Sequence, residues 1–240
     1  MTSWDMIAIA AILLIGVPHG GFDGAIARRI GWSTNILSWI GFHLIYIALT
    51  MIVVILWLLF PLYSLGLFLA ISALHFGASD IADTDRHWLP WIAHGGLVSI
   101  AIPSLQPELV EPIFTILVDS TNAAVLINIV KALFIPWLLA VITYIFYAYS
   151  HNQYRKSLVN LLVLIVLVYF LAPLISFALY FCFWHSRSHM LLIWRSLKQP
   201  DMRSRASYEM IVYSLMAWSA IIVGYYYLQT SVNTALIQLT

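Results

Sequence analysis

The sequence predicts an all-α protein, a polytopic membrane bundle of about eight transmembrane helices that forms one domain over residues 1–240. Two observations support this prediction. Hydrophobic residues make up 62% of the chain and charged residues 9%, whereas an average globular domain is about 25% charged. The mean hydropathy is +0.93, and the apolar stretches have the length of about 20 residues that a transmembrane helix needs.

The apolar stretches are separated by short polar or proline-containing segments. Pro61 divides the second span from the third, and Pro173 divides the sixth from the seventh. Segment 103–112 is rich in proline and acidic residues, which predicts a loop or an interfacial helix. The first stretch has no basic region before it, so it is predicted to be a retained span rather than a cleaved signal peptide. The predicted spans are 6–27, 36–59, 62–80, 89–105, 123–149, 157–172, 174–195 and 207–228.

The lysines and arginines predict the orientation in the membrane. If the loop after the first span is cytoplasmic, every lysine and arginine except Lys131 falls on or near the cytoplasmic side. Both termini are then outside, which is periplasmic for a bacterial cell (inner) membrane. The net charge of +1 offers no basic patch for nucleic acid, and the lone Cys182 excludes an internal disulfide.

Four histidines in apolar segments predict a metal site. His185 and His189 are one helical turn apart, so both rings point to one face, as in a chelating helix. Imidazoles at membrane depth are costly and usually functional. At 1.5 Å per residue, His189, His185 and His19 lie roughly 9, 15 and 13 Å from the cytoplasmic ends of their spans, and His75 lies roughly 8–15 Å in. This common depth predicts one site in the cytoplasmic half, with His19 and His75 as further ligands.

Other polar residues lie in the same layer. Asp23 and Asp80 follow His19 and His75 by four and five residues. Such carboxylates can accept the second N–H of a metal-bound imidazole and orient it, or can bind the metal themselves. His94, beside two glycines, is open to three interpretations: a ligand, a residue that orients a ligand, or a helix-packing histidine. His43 also lies in this layer.

Aromatic residues crowd the helix that carries the histidine pair. Tyr180, Phe181 and Trp184 belong to this group, together with Phe177 and Phe183. Two interpretations stay open: these side chains line a cavity for a flat apolar ligand, or they pack between helices.

The ligand types limit the chemistry. Imidazoles suit iron, zinc or copper and disfavour magnesium or calcium. The HExxH motif of zinc metalloproteases is absent, and one HxxxH without paired histidines suits one metal better than the two irons of a membrane hydroxylase. A retinal-binding receptor would need a lysine deep in a late span, and none is present. A haem protein, a metal transporter and an electron-transfer subunit remain open alternatives.

Four motifs carry a family resemblance that runs over nearly the whole chain. They are GVPHGGFD at 16–23, SALHFGASD at 72–80, AHGG at 93–96 and YFCFWHSRSH at 180–189. In this combination and order the chain resembles the Brp/Blh family of bacterial and archaeal β-carotene 15,15′-dioxygenases, which are multi-pass helical enzymes. Relatives usually continue into a further helix with a PH…D element, whereas this sequence stops at Thr240, about where that helix would begin.

The resemblance implies an activity and a cofactor. It implies cleavage of the central double bond of β-carotene by O₂ into two molecules of all-trans-retinal, which a rhodopsin can take up. It also implies a non-haem Fe(II) held by histidines. By motif, these ligands would be His19, His75, His185 and His189.

Overall fold

The computed structural model of the chain is a bundle of nine helices within the residues it describes, which are 2–32, 35–81 and 87–238, with 228–238 as backbone only. The described part contains no strand, so the predicted all-helical class is confirmed. The nine helices are α1 Ser3–Arg29, α2 Ile36–Leu59, α3 Pro61–Asp80, α4 Trp88–Leu105, α5 Pro107–Val118, α6 Ser120–Ser150, α7 Asn152–Phe170, α8 173–196 and α9 Pro200–Gln238.

Seven of these helices are long and apolar enough to cross a membrane: α1, α2, α3, α4, α6, α7 and α9 up to Tyr227. The seventh predicted span, 174–195, is present as α8, but its histidines and Arg187 make it too polar to join that group. The segment at 103–112, predicted as a loop or an interfacial helix, forms the end of α4 and the start of the short helix α5, with only Gln106 between them. Arg86, which the orientation prediction places on the cytoplasmic side, lies outside the described residues.

Local sequence signals set where the helices begin. Thr2 caps α1 and Asn35 caps α2, each in a reciprocal arrangement with the residue three positions later. Pro61 and Pro173 occupy the first positions of α3 and α8, where the missing N–H costs nothing. Gly31 has a φ of +90° in the link from α1 to α2, a conformation that favours glycine.

Helix α4 lies at the centre of the bundle and α2 at its edge. Of the residues in the most apolar 18-residue stretch of each helix, 61% are buried in α4 and none in α2. The main cluster of buried residues includes side chains from every helix from α3 through α8. A smaller cluster includes side chains of α1, α8 and α9. The apolar side chains on the outside of α2 therefore face lipid, as expected for a peripheral transmembrane helix.

Glycines let α3 and α4 pack backbone to backbone. A Cβ at Gly95 would collide with the carbonyl of Ala73, and one at Gly77 would collide with the carbonyl of Trp91. Small residues commonly allow such close contacts between transmembrane helices. This contact matters for the site described below, because α3 carries His75 and Asp80.

Replacing Gly95 with alanine should destabilise the bundle, because its Cβ meets backbone atoms that cannot rotate away. We expect a loss of about 1–3 kcal/mol, the usual cost of overpacking. Thermal unfolding in detergent measures it. Gly41→Ala is the matched control, since nothing lies within 4 Å of a Cβ at Gly41. Equal midpoints for the two variants would contradict the close contact between α3 and α4.

Candidate metal centre

Three helices bring the four predicted histidines together. His19 comes from α1, His75 from α3, and His185 and His189 from α8. The ring centroids of His19 lie 5.8 Å from His185 and 5.9 Å from His189. Those of His75 lie 5.0 Å and 6.3 Å from the same two rings, and His185 and His189 are 6.2 Å apart. The grouping expected from membrane depth is therefore present in the fold.

These separations match imidazoles around one ion. With a metal–nitrogen bond of about 2.1 Å, a ring centroid stands roughly 3.2 Å from the metal, and two ligand rings lie about 4.5–6.5 Å apart. All five separations fall within that range. Across the described residues, however, no three histidine, cysteine or acidic side chains already converge their donor atoms on one point. Rotation of the rings would be needed to complete a coordination sphere.

In two of these rings, one nitrogen is hydrogen-bonded and the other is not. The Nδ1 of His19 pairs with the carbonyl of Gly16, and the Nδ1 of His185 lies 3.2 Å from Asp80 Oδ1. The buried Nε2 of His185 and Nδ1 of His189 have no hydrogen-bond partner. One nitrogen held by a carbonyl or carboxylate and the other unpaired is the usual state of a metal-ligating histidine. The residues present therefore fit a metal ion.

Asp80 joins α3 to α8 in this site. It accepts a hydrogen bond of 2.7 Å from the Tyr180 hydroxyl in addition to the contact with His185. Ser79 Oγ lies 3.2 Å from the same Nδ1 of His185. The carboxyl side chain is only 2% exposed and the imidazole is fully buried. Asp80 thus contacts His185, although the motif had placed it next to His75.

Aromatic rings form the apolar side of the cluster. The ring of Phe181 lies nearly parallel to His185 at 5.9 Å and edge-on to His19 at 5.1 Å. Phe177 stacks on Phe181 at 5.2 Å, and the edge contact of Phe76 with His185 is 4.6 Å. Phe181 and Tyr180 therefore touch the histidines, and both pack against the main core.

Of the other candidates of the sequence, His94 and Asp23 lie away from the cluster and Trp184 lies beside it. His94 is buried apart from the cluster, with its Nε2 at 2.9 Å from Ser157 Oγ and its buried Nδ1 without a hydrogen-bond partner. Asp23 accepts a hydrogen bond from Tyr46 at 3.1 Å, while the ring nitrogen of His19 expected to pair with it is bound to Gly16. Trp184 lines a cavity of about 420 Å³ whose wall also includes His189 and Asp80.

Three residues of the site were not predicted from the sequence: Gly16, Phe76 and Ser79. Gly16 contributes its carbonyl to His19 and leaves room for Phe181, whose ring a Cβ there would overlap. Its position three residues before His19 was a usable signal, because a histidine can reach back one helical turn to a carbonyl. The contacts of Phe76 and Ser79 with His185 depend on tertiary packing and left no local signal.

The geometry can be compared with known proteins. The model of a family described as "Beta-carotene 15,15'-dioxygenase" matches residues 10–240. A protein of that name from Uncultured marine bacterium 66A03 is 32% identical over 217 residues, which cover 89% of this chain and 78% of that protein. No solved structure matches the chain.

Asp80→Leu should destabilise the fold, because it leaves the buried Tyr180 hydroxyl and the Nδ1 of His185 without their acceptor. We expect a loss of about 2–4 kcal/mol in chemical unfolding. Tyr180→Phe removes only one of the two contacts and should cost less. If Asp80→Leu unfolds like the unmodified protein, the pairing across α3 and α8 is wrong.

Proposed function

The chain belongs to the β-carotene 15,15′-dioxygenase family, and we propose that it cleaves the central double bond of β-carotene with O₂ into two molecules of retinal at a non-haem Fe(II). The reaction needs no external reductant, because conversion of one alkene into two aldehydes releases the four electrons that O₂ accepts. The observation that carries the proposal is the group of four neighbouring imidazoles inside an apolar helical bundle.

We assign the iron to His19, His75, His185 and His189. Bound Fe(II) supplies the one-electron chemistry that lets triplet O₂ react with a closed-shell polyene. The protein keeps His19 and His185 in one tautomer, because the Gly16 carbonyl and the Asp80 carboxylate each accept a hydrogen bond from Nδ1. The lone pair of Nε2 is then free to bind the metal. Neutral imidazole ligands suit iron, and four of them leave positions on the metal for a reactant.

The aromatic side of the cluster would hold the polyene. Phe181 and Phe177 form a stacked apolar pair beside His185. A conjugated polyene is flat and apolar as well, so it can lie on such a surface without breaking hydrogen bonds. Burying the reacting carbons there also excludes water from the site.

The position of His75 supports access from the bilayer. His185 is 1% exposed, whereas His75 is exposed on α3, next to Leu74 at 70%. An exposed apolar side of a transmembrane helix faces lipid, where a carotenoid dissolves. The proposed substrate therefore reaches the histidines sideways, and the apolar product returns to the bilayer, where a rhodopsin can take it up. We also propose a cell-membrane location with both termini outside.

The four histidines should be needed for both iron and retinal. In cells that make β-carotene, the unmodified chain should accumulate retinal, and alanine at His19, His75, His185 or His189 should lower both bound iron and retinal to background. His151→Gln is the control, because His151 stacks on Tyr147 away from the cluster. Retinal formed by purified protein without iron would refute the assignment, and a haem absorption band would identify a haem protein instead.

The Asp80 carboxylate should strengthen iron binding through His185. Asp80→Asn keeps the shape of the side chain but loses the negative charge that polarises the imidazole. We expect iron affinity to fall by about 10–100-fold, the usual effect of losing a residue that orients a ligand. Anaerobic Fe(II) titration of the purified protein measures this. Asp201→Asn, at the exposed start of α9, should bind iron like the unmodified protein.

A further inference from the structure

A polar cavity of about 420 Å³ lies where α3 and α8 end and α7 begins. Its wall includes Asp80, whose side chain is 2% exposed, and His189 of the histidine cluster. The same wall includes Gln153 and Lys156 from the start of α7 and Arg195 from the last turn of α8, and these three residues are exposed. The polar cavity therefore extends from the cluster to one end of the bundle.

The wall of the polar cavity differs chemically from the other surroundings of the cluster. Between its two ends it carries hydroxyl and amide groups, which belong to Ser79, Ser157, Ser188 and Asn160. On other sides the cluster packs against aromatic rings, such as Phe181 beside His19 and Phe76 beside His185. The polar cavity is thus a side of the cluster on which water and ions meet hydrogen-bonding groups.

A metal ion needs a polar path to a site inside a membrane bundle. A hydrated divalent cation does not cross hydrocarbon, because the loss of its hydration shell is too costly. The lipid-facing side of α3, where His75 and Leu74 are exposed, is therefore closed to the ion although it suits an apolar substrate. In the polar cavity, hydroxyl, amide and carboxylate oxygens can replace some of the water molecules that the ion gives up.

We propose that the polar cavity is the path by which iron enters and leaves the histidine cluster, separate from the lipid-facing side at which the carotenoid arrives. The inference rests on the proposed function, because it takes the four histidines as the iron ligands. His189 is the ligand that an entering ion meets first, since it lines the cavity and the other three histidines do not. Its buried Nδ1 has no hydrogen-bond partner.

The charge at the outer end of the polar cavity controls how fast the ion passes. Lys156 and Arg195 are exposed, and neither forms an ion pair with an acidic side chain among the described residues. Their positive charges raise the free energy of a cation that passes close to them more than that of an ion bound further inside. The two residues therefore slow the uptake and the loss of iron alike and change the equilibrium affinity little.

Rates of Fe(II) uptake and release by the purified full chain, measured without oxygen, test the path. Uptake is measured as protein-bound iron at set times after mixing with Fe(II). Release is measured with ferrozine at concentrations where the rate no longer depends on the chelator. Asn160→Phe places a ring in the polar wall and should slow both rates by about tenfold, the factor that corresponds to one unfavourable side-chain rotamer on the path. The Kd for iron should stay unchanged, because Asn160 is not a ligand.

Val159→Phe is the matched control for this variant. Val159 precedes Asn160 on α7, but it is 57% exposed and lies outside the wall of the polar cavity. The added ring therefore faces away from the path, and both rates should equal those of the unmodified protein.

Reversing a charge at the outer end gives an independent test that does not depend on how Asn160→Phe folds, because Lys156 is exposed. Lys156→Glu should speed uptake and release on the order of tenfold at low salt, since it turns repulsion of the cation into attraction. The difference should disappear at about 1 M salt, where charges are screened within a few ångströms. Lys198→Glu, with the same change of charge at an exposed residue outside the wall, should exchange iron like the unmodified protein.

The negative results separate the path from the proposed function. Tight iron binding with equal rates in the unmodified protein, Asn160→Phe and Lys156→Glu would overturn the path alone. Failure of the unmodified protein to bind iron would overturn the proposed function and the path together.

Discussion

The Asp80 carboxylate is the interaction on which the candidate metal centre depends. In a bundle surrounded by lipid, a buried polar atom has no water to bind and must find its partner in the protein. Asp80 meets this need for Tyr180 and His185 at once, and so connects the end of α3 to the middle of α8. His75 lies on α3 as well, so the same contact brings a third imidazole beside the α8 pair. Glycine packing between α3 and α4 then holds α3 in place.

Departures from α-helical geometry support this arrangement. Two π-helical segments belong to the candidate site. Ile12–Gly16 lies just before His19, and Leu179–Ser186 contains His185. In an α-helix, residues five apart point about 140° away from each other, whereas a π-helical turn aligns them. The wider turn therefore lets Tyr180 and His185 reach the same carboxylate. π-Helical turns often occur at functional sites, because they redirect side chains at a cost in backbone hydrogen bonding.

The bundle separates two kinds of polar site. One is the histidine cluster, where His185 and His189 keep buried, unpaired nitrogens. The other is a cavity of about 320 Å³ lined by residues of α1, α2 and α9, where the Tyr46 hydroxyl donates to Asp23 and the Tyr213 hydroxyl bonds to His43. The first keeps nitrogen atoms without a partner, whereas the hydroxyl protons of the second are bonded within the protein.

The family membership predicted from four motifs is confirmed, and so is the helical membrane class. Depth counting grouped four histidines that the fold brings together, although their role as ligands stays a prediction. Depth alone could not assign their partners. His94 and Asp23 lie in the same layer as the cluster, yet they bond to Ser157 and Tyr46 because their helix faces point elsewhere.

The amino-acid sequence alone determined the class and the approximate spans and grouped the four histidines by their distance along each span, because hydropathy and helical rise depend only on the order of residues along the chain. Only the tertiary structure decided which neighbours meet across helices: Asp80 with His185, Gly16 with His19 and Asp23 with Tyr46. Those contacts depend on the rotation of each helix about its axis, on the π-helical turns that alter it, and on where glycines allow close packing. A one-dimensional pattern does not contain that rotation.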